Sequence, residues 1–158
     1  MTGQQVIVRR ARAEDLPGLV ASSEGLFAED GGTRDSSVNI HWPREHGAQS
    51  FAAALEDPTR LVLAVEHDGR VVGHLMGSVT GPTAKRTVTS ATLISIYVRP
   101  EHRRARAGDR LVEEFLDWAR RQGAGHAEVT AYAANTEAIR FYERGGFAAM
   151  TVTLRQPL

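Results

Sequence analysis

The sequence predicts a mixed α/β domain organised around one sheet, and three observations carry that prediction. The β-branched runs Leu61–Glu66 and Val71–Val79 flank Asp68-Gly69, a tight-hairpin signature, so part of the sheet is antiparallel. The run Val88–Val98 is largely apolar at its end in both alternating sets, Ile94/Ile96/Val98 and Leu93/Ser95/Tyr97, as expected of a central strand covered on both faces. Beyond it, helix-period and strand-period segments alternate to the C-terminus.

The elements follow in order. Val6-Ile7-Val8 opens a short strand. A helix begins at Asp15-Leu16-Pro17, with an acid in its first turn and Pro near its start, and its stripe is Leu16, Leu19, Val20 and Phe27. Residues 29–47 are polar, carry Gly31-Gly32 and Pro43, and show no period; such a long connection points to function. A second helix covers Ala48–Leu55 and stops before Asp57-Pro58, and the hairpin and central strand come next. Arg99-Pro100 ends the central strand. A helix from about Ala107 to Gln122 turns Leu111, Phe115, Trp118 and Ala119 to one face and stops at Gly123. A strand is expected at Val129–Ala133, a helix from an Asn135 cap to Arg144, and a last strand over roughly Phe147–Leu154.

Composition bounds the function. A chain of 158 residues fits one domain, and 42% hydrophobic against 24% charged residues can form a core. Lys+Arg and Asp+Glu are 19 each, without the basic excess of a broad nucleic-acid surface, so a nucleic-acid regulator built on the arginine-rich loop is disfavoured. The absence of Cys excludes a disulfide scaffold, a thiolate metal site and a cysteine nucleophile. His41 and His46 are five apart, a spacing that suits no metal pair, and no metal is expected. Apolar runs fall short of the ~18 residues that span a bilayer, and MTGQQVIVRR lacks an apolar leader core. The expectation is a cytoplasmic protein with neither membrane nor nucleic-acid partner.

Two segments carry chemistry. From Arg99 to Gly108 a strand passes through a basic loop into a helix. Free N–H groups at a helix N-terminus form an anion site, and the small residues Ala105, Ala107 and Gly108 let a phosphate approach. Arginines beside that terminus oppose the helix dipole unless a polyanion is bound. In the second segment, Asn135 and Tyr142 lie two helical turns apart on one face, with Ala138 and Phe141 completing the stripe.

Together these segments resemble the GNAT superfamily of N-acetyltransferases. Arg103-x-x-Arg106-x-Gly108 aligns imperfectly with its acetyl-CoA loop, Arg/Gln-x-x-Gly-x-Gly/Ala. Asn135, Ala138, Phe141, Tyr142, Gly146 and Phe147 match Asn-x-x-Ala-x-x-Phe-Tyr-x-x-x-Gly-Phe in full, and the element order agrees along the chain. The resemblance implies the α+β or α/β three-layer GNAT fold, a mixed, mostly antiparallel central sheet flanked by helices, as a single domain over 1–158. It implies an acetyl-CoA-dependent N-acetyltransferase acting on a primary amine of a small molecule or peptide. The strand ending at Val98 would splay from its neighbour to admit the pantetheine arm, bonded by backbone groups of Ile96 and Val98, while a backbone N–H near Ile96 or Tyr97 would polarise the thioester carbonyl. N–H groups of Arg103, Arg104, Ala105, Arg106, Ala107, Gly108 and Asp109 would hold the pyrophosphate, Asn135 the cofactor arm, and Tyr142 would protonate the departing thiolate. The acceptor would lie near Asp30, Asp35, His41 and Trp42, and the family's habit of pairing makes a homodimer an expectation.

There are two departures from the family pattern. Arg106 stands where the family has its first loop glycine and carries a steric cost if the position requires positive φ. Ile94 and Ser95 stand where many members have a carboxylate on the central strand, which leaves Glu29, Asp30, Asp35, His41 and Glu128 as candidate bases. Tyr142 suits the acid's role, since a phenol pKa of ~10 is near that of an alkyl thiol. The departures motivate an alternative, an acyl-CoA-binding module of the same fold that has lost catalysis.

Overall fold

In a computed structural model, residues 5–158 are described; residues 1–4 of the segment searched for a leader lie outside them. Five strands form one sheet in the order β1 (Ile7–Arg10), β2 (Arg60–His67), β3 (Arg70–Thr80), β4 (Ser90–Val98), β5 (His126–Val129). The first four are antiparallel neighbours, and β5 runs parallel to β4. Asp68 and Gly69, at φ 50° and 74°, turn β2 into β3 with the two positive φ values that match strand twist.

Alternation along β2 sets the layers. Leu61, Leu63 and Val65 pack with Leu111, Phe115 and Trp118 of the helix Ala107–Arg121 in one core. Val62 and Ala64 pack on the other face with Leu19 and with Phe51 and Ala54, on the helices α1 (Leu16–Leu26) and α3 (Ala48–Leu55). The intervening α2 is Gly32–Arg34, the helix Ala107–Arg121 is α4, and α5 is Thr136–Arg144. Each face of the sheet is therefore sealed by helix, the arrangement that strands apolar on both sides require.

Arg9 on β1 anchors the start of α1. It donates to both oxygens of Asp15 (2.7 and 3.0 Å) and to Glu66 on β2 (2.9 Å). The Arg9 guanidinium, joined by the Arg12 N–H, holds the buried Asp15 carboxyl below the usual carboxylate range.

Four expectations are corrected. Residues 29–47 are not one irregular connection: α1 runs on through a π-helical turn, Phe27–Gly31, into α2, and a second such turn, Pro43–Gly47, leads into α3. Packing against α1 and the adjoining helices, rather than an apolar repeat, holds these turns. The strand expected at Val129–Ala133 lies three residues earlier, because its ladder with β4 runs from His126 to Val129 and the chain then leaves the sheet. The two sets of β4 are also reshuffled. Met76 pairs with Ser95 but Gly77 with Leu93, so Ile94 is an extra, bulged residue. Leu93 joins Ile96 and Val98 against α4, while Ser95 and Tyr97 face α1. Finally, no strand forms after Phe147; Met150, Val152 and Leu154 are 86%, 83% and 90% exposed. Strand propensity is realised only against a ladder, and among the described residues none pairs with this segment.

Candidate functional site

The ladder between β4 and β5 stops at Leu93 opposite Val129, yet β4 continues to Val98. Its edge from Ile94 to Val98 therefore has no strand beside it, and a cleft of about 600 Å³ opens there. Ile96, Tyr97 and Val98 line it from β4, Gly108 and Asp109 from α4, and Asn135 and Tyr142 from the start and middle of α5. These residues are distant in sequence and share one opening because the sheet splays at Val129.

The N-terminus of α4 points its free N–H groups at this region, since the first four donors of a helix have no intrahelical acceptor. Arg106 is the N-cap, with φ 58° and ψ 26°, the left-handed conformation. The departure from glycine thus falls on a position that demands positive φ. The Arg106 side chain is 79% exposed and meets Asp109 at 3.2 Å. Arg103 is spent internally: its Nε donates to the Val98 carbonyl (2.8 Å), its Nη2 to Glu29 (2.6 Å), and its guanidinium lies 5.4 Å from the Tyr97 ring centre. It clamps the end of β4 to the turn after α1. The side chains of three neighbours lie elsewhere. Arg104 is exposed and does not line the cleft, Ala107 is fully buried against the core, and Ala105 packs on that core from a separate depression beside Val6 and Arg110. Arg104 and Ala105 belong to the turn Pro100–Ala105, whereas Ala107 is the first residue of α4.

Tyr142 packs against Phe141 and Phe147, at 5.3 and 5.8 Å between ring centres. Burial, with a contribution from the Asp30 charge, pushes its phenol up to about 12, so it stays protonated at neutral pH. The Asn135 side chain is already engaged: Oδ1 accepts from the Ala138 N–H (3.2 Å) as the α5 cap, and Nδ2 donates to Asp30 Oδ1 (3.1 Å). Arg34 donates to the same Asp30 oxygen at 2.7 Å.

Of the four acceptor-site candidates, only Asp30 lines the cleft. Asp35 is turned aside by bonds to Ser37 and by Arg155 at 2.9 Å, and these hold its carboxyl down at about 2. His41 is exposed and bonded to Arg44. Trp42 stacks on Phe27 at 5.8 Å. Among the candidate bases, Glu29 joins Asp30 in the cleft wall, while Glu128 is exposed on β5 and outside it. Among the described residues no group of His, Asp or Glu is arranged to hold a metal.

One constellation was invisible in the sequence. Ser95 lines the cleft, and its Oγ lies 3.0 Å from Nε2 of His74. His74 is fully buried, and its Nδ1 lies 2.6 Å from Ser22 Oγ on α1. Phe51 packs edge-on to the imidazole at 5.5 Å. Burial alone lowers His74 to about 4, so the ring is neutral at neutral pH. The three residues are separated by 52 and 21 positions, and no spacing links them.

A model of the acetyltransferase (GNAT) family matches residues 27–147, and the chain belongs to that family. Its three-layer fold around a mixed sheet is the fold of the family's solved members. An aminoglycoside N-acetyltransferase solved in complex with CoA superposes with a TM-score of 0.79 over 99% of this chain and 96% of its own, at 14% identity. In sequence, the chain is 30% identical to the streptothricin acetyltransferase of Streptomyces lavendulae over 148 residues, 94% of this chain and 66% of that protein. It is 31% identical over 97 residues, 61% of this chain, to an uncharacterised N-acetyltransferase of Mycobacterium tuberculosis, whose length is matched over 58%. The chain thus aligns with less than two thirds of the length of these relatives. No helix among the described residues is long and apolar enough to cross a membrane.

Proposed function

We propose that this chain transfers the acetyl group of acetyl-CoA to a primary amine of a small molecule, with Tyr142 as general acid. The observation that carries the reading is the convergence of the open edge of β4, the N-terminus of α4 and the buried Tyr142 phenol on one cleft. The donor supplies an activated thioester carbonyl. The N–H and C=O groups of Ile96 and the N–H of Val98, whose carbonyl is taken by Arg103, suit the amides of a pantetheine arm, and the N–H groups from Arg106 to Asp109 suit a pyrophosphate. A phenol kept neutral by burial is a proton source that neutral pH does not deplete. Glu29 and Asp30 in the cleft wall are each paired with an arginine, Arg103 and Arg34, and the similarity to a streptothricin acetyltransferase supports a small molecule over a peptide.

The test is calorimetric titration of CoA and acetyl-CoA, followed by thiol-release assays with a panel of primary amines: streptothricin, aminoglycosides, polyamines, amino acids and a short peptide. The expected result is tight cofactor binding and release with at least one small-molecule amine. Tyr142→Phe should lower kcat by roughly 10²-fold with cofactor affinity unchanged. Binding without release for every amine would favour the non-catalytic module, which the left-handed Arg106 makes a specific rival. Absence of binding would overturn both readings.

A further inference from the structure

We propose that Ser95 is the group that takes the proton from the acceptor amine, passing its own hydroxyl proton to His74, whose ring is fixed by Ser22. This rests on the acetyl-transfer reading and assigns the base that reading leaves open.

The bulge at Ile94 creates the arrangement. In an unbulged strand Leu93 and Ser95 would share a face. The extra residue puts Leu93 into the α4 core and turns Ser95 toward α1, opposite Met76, where it meets His74 from the neighbouring strand. Ser95 is thus in contact with the cleft on one side and with the imidazole on the other. It stands on the stretch of β4 that carries no strand partner on the cleft side.

The chemistry follows from the two bonds of the ring. In the tautomer that the proposal requires, Nδ1–H donates to Ser22 Oγ and the Nε2 lone pair accepts the Ser95 hydroxyl. Ser95 then shows only lone pairs to the cleft and is an acceptor for an N–H of the incoming amine. The His74 lone pair is free because burial keeps the ring neutral. As the nitrogen–carbon bond forms, the amine proton moves to Ser95 Oγ and the Ser95 proton to Nε2. Both N–H groups of the resulting imidazolium face hydroxyl oxygens, so the transient charge is hydrogen-bonded though buried. As the carbon–sulfur bond breaks, the Tyr142 phenol gives its proton to the thiolate. The imidazolium then loses its proton through Ser95 to solvent and the phenolate regains one from solvent, which closes the balance. Ser95 touches the substrate and is catalytic; His74 and Ser22 act through it and are positioning residues.

Two readouts test the relay. Nitrogen-15 NMR of the His74 ring in the unliganded protein should show a neutral imidazole protonated at Nδ1, with the Nε2 resonance moved by Ser95→Ala. Thiol release is then followed with the amines of the panel for wild type, Ser95→Ala, Ser95→Thr and His74→Asn, with thermal denaturation of each. Ser95→Ala should lower kcat by roughly 10²-fold at unchanged KM for acetyl-CoA, with its midpoint of denaturation held. Ser95→Thr should recover most of the rate, and the loss should shrink as the acceptor becomes less basic, which a packing defect would not produce. His74→Asn should match the Ser95→Ala loss, and the double variant should add little to it. Full activity in Ser95→Ala would overturn the relay, leave acetyl transfer standing and shift the base to Asp30. A loss that tracks unfolding, or fails to respond to amine basicity, would overturn the relay as well. A wild type that binds CoA yet acetylates no amine would overturn both the relay and the transferase reading, whereas failure to bind CoA would reject the cofactor site itself.

Discussion

Arg106→Gly and Arg106→Ala, compared with each other, isolate the cost of a side chain in the left-handed N-cap of α4. Arg106 sits at φ 58°, ψ 26°. A non-glycine residue there costs about 1–2 kcal/mol, and both variants lose the same guanidinium. That group is 79% exposed and meets Asp109 at 3.2 Å, a pair worth no more than about 0.5 kcal/mol at such exposure. The variants therefore differ in backbone alone. Ala keeps the left-handed strain. Gly removes it but gives the unfolded chain about 0.5–1 kcal/mol of extra freedom. The net expectation is that Arg106→Gly is more stable than Arg106→Ala by about 0.5–1 kcal/mol, which for a chain of this size is roughly 1–4 °C in Tm. Differential scanning calorimetry of the two proteins in one buffer reads this directly. If Arg106→Ala melted at or above Arg106→Gly, the left-handed cap would not be the strained position described, and the reasoning would fail. Calorimetric titration of CoA adds a second readout. If the guanidinium faces a phosphate, both variants lose affinity equally, and the loss shrinks at high salt.

Further expectations concern stability. His74 is neutral in the fold down to about pH 4, whereas an unfolded histidine protonates below about 6.5. Between those values the unfolded chain binds more protons, so stability falls as pH drops, by roughly 3 kcal/mol across the window; urea denaturation from pH 7 to pH 4 should show this slope, flattened in His74→Gln. Asp15 titrates in a lower window: its depressed carboxyl adds stability above about pH 3.9 that is lost as pH falls further. Asp15→Asn, which leaves Arg9 with Glu66 alone, should cost about 2–3 kcal/mol in urea denaturation at pH 7, and a cost under 0.5 kcal/mol would show that Glu66 suffices.

Much of the site could be read from residue order alone. Asn135 and Tyr142 lie on one face because a helix repeats every 3.6 residues, and Arg106 stands out because it occupies the position of the family's first loop glycine. Residues whose neighbours come from elsewhere could not be read so. Asp35, His41 and Trp42 are as polar or aromatic as a site requires, but Arg155, Arg44 and Phe27 engage them away from the cleft.

The sequence by itself determined the hairpin, the helices of the C-terminal half, the order of the elements outside residues 29–47 and after Phe147, and the two segments that meet at the cleft, because each is written in local periodicity and turn chemistry. Only the tertiary structure decided the rest. The ladder with β4 set where β5 begins and ends. The absence of any ladder left 147–154 without a strand. A single bulged residue, paid for by no visible motif, carried Leu93 into one core and turned Ser95 to His74 and Ser22 on the other face. Period-two alternation cannot register an inserted residue until the partner strand fixes the pairing.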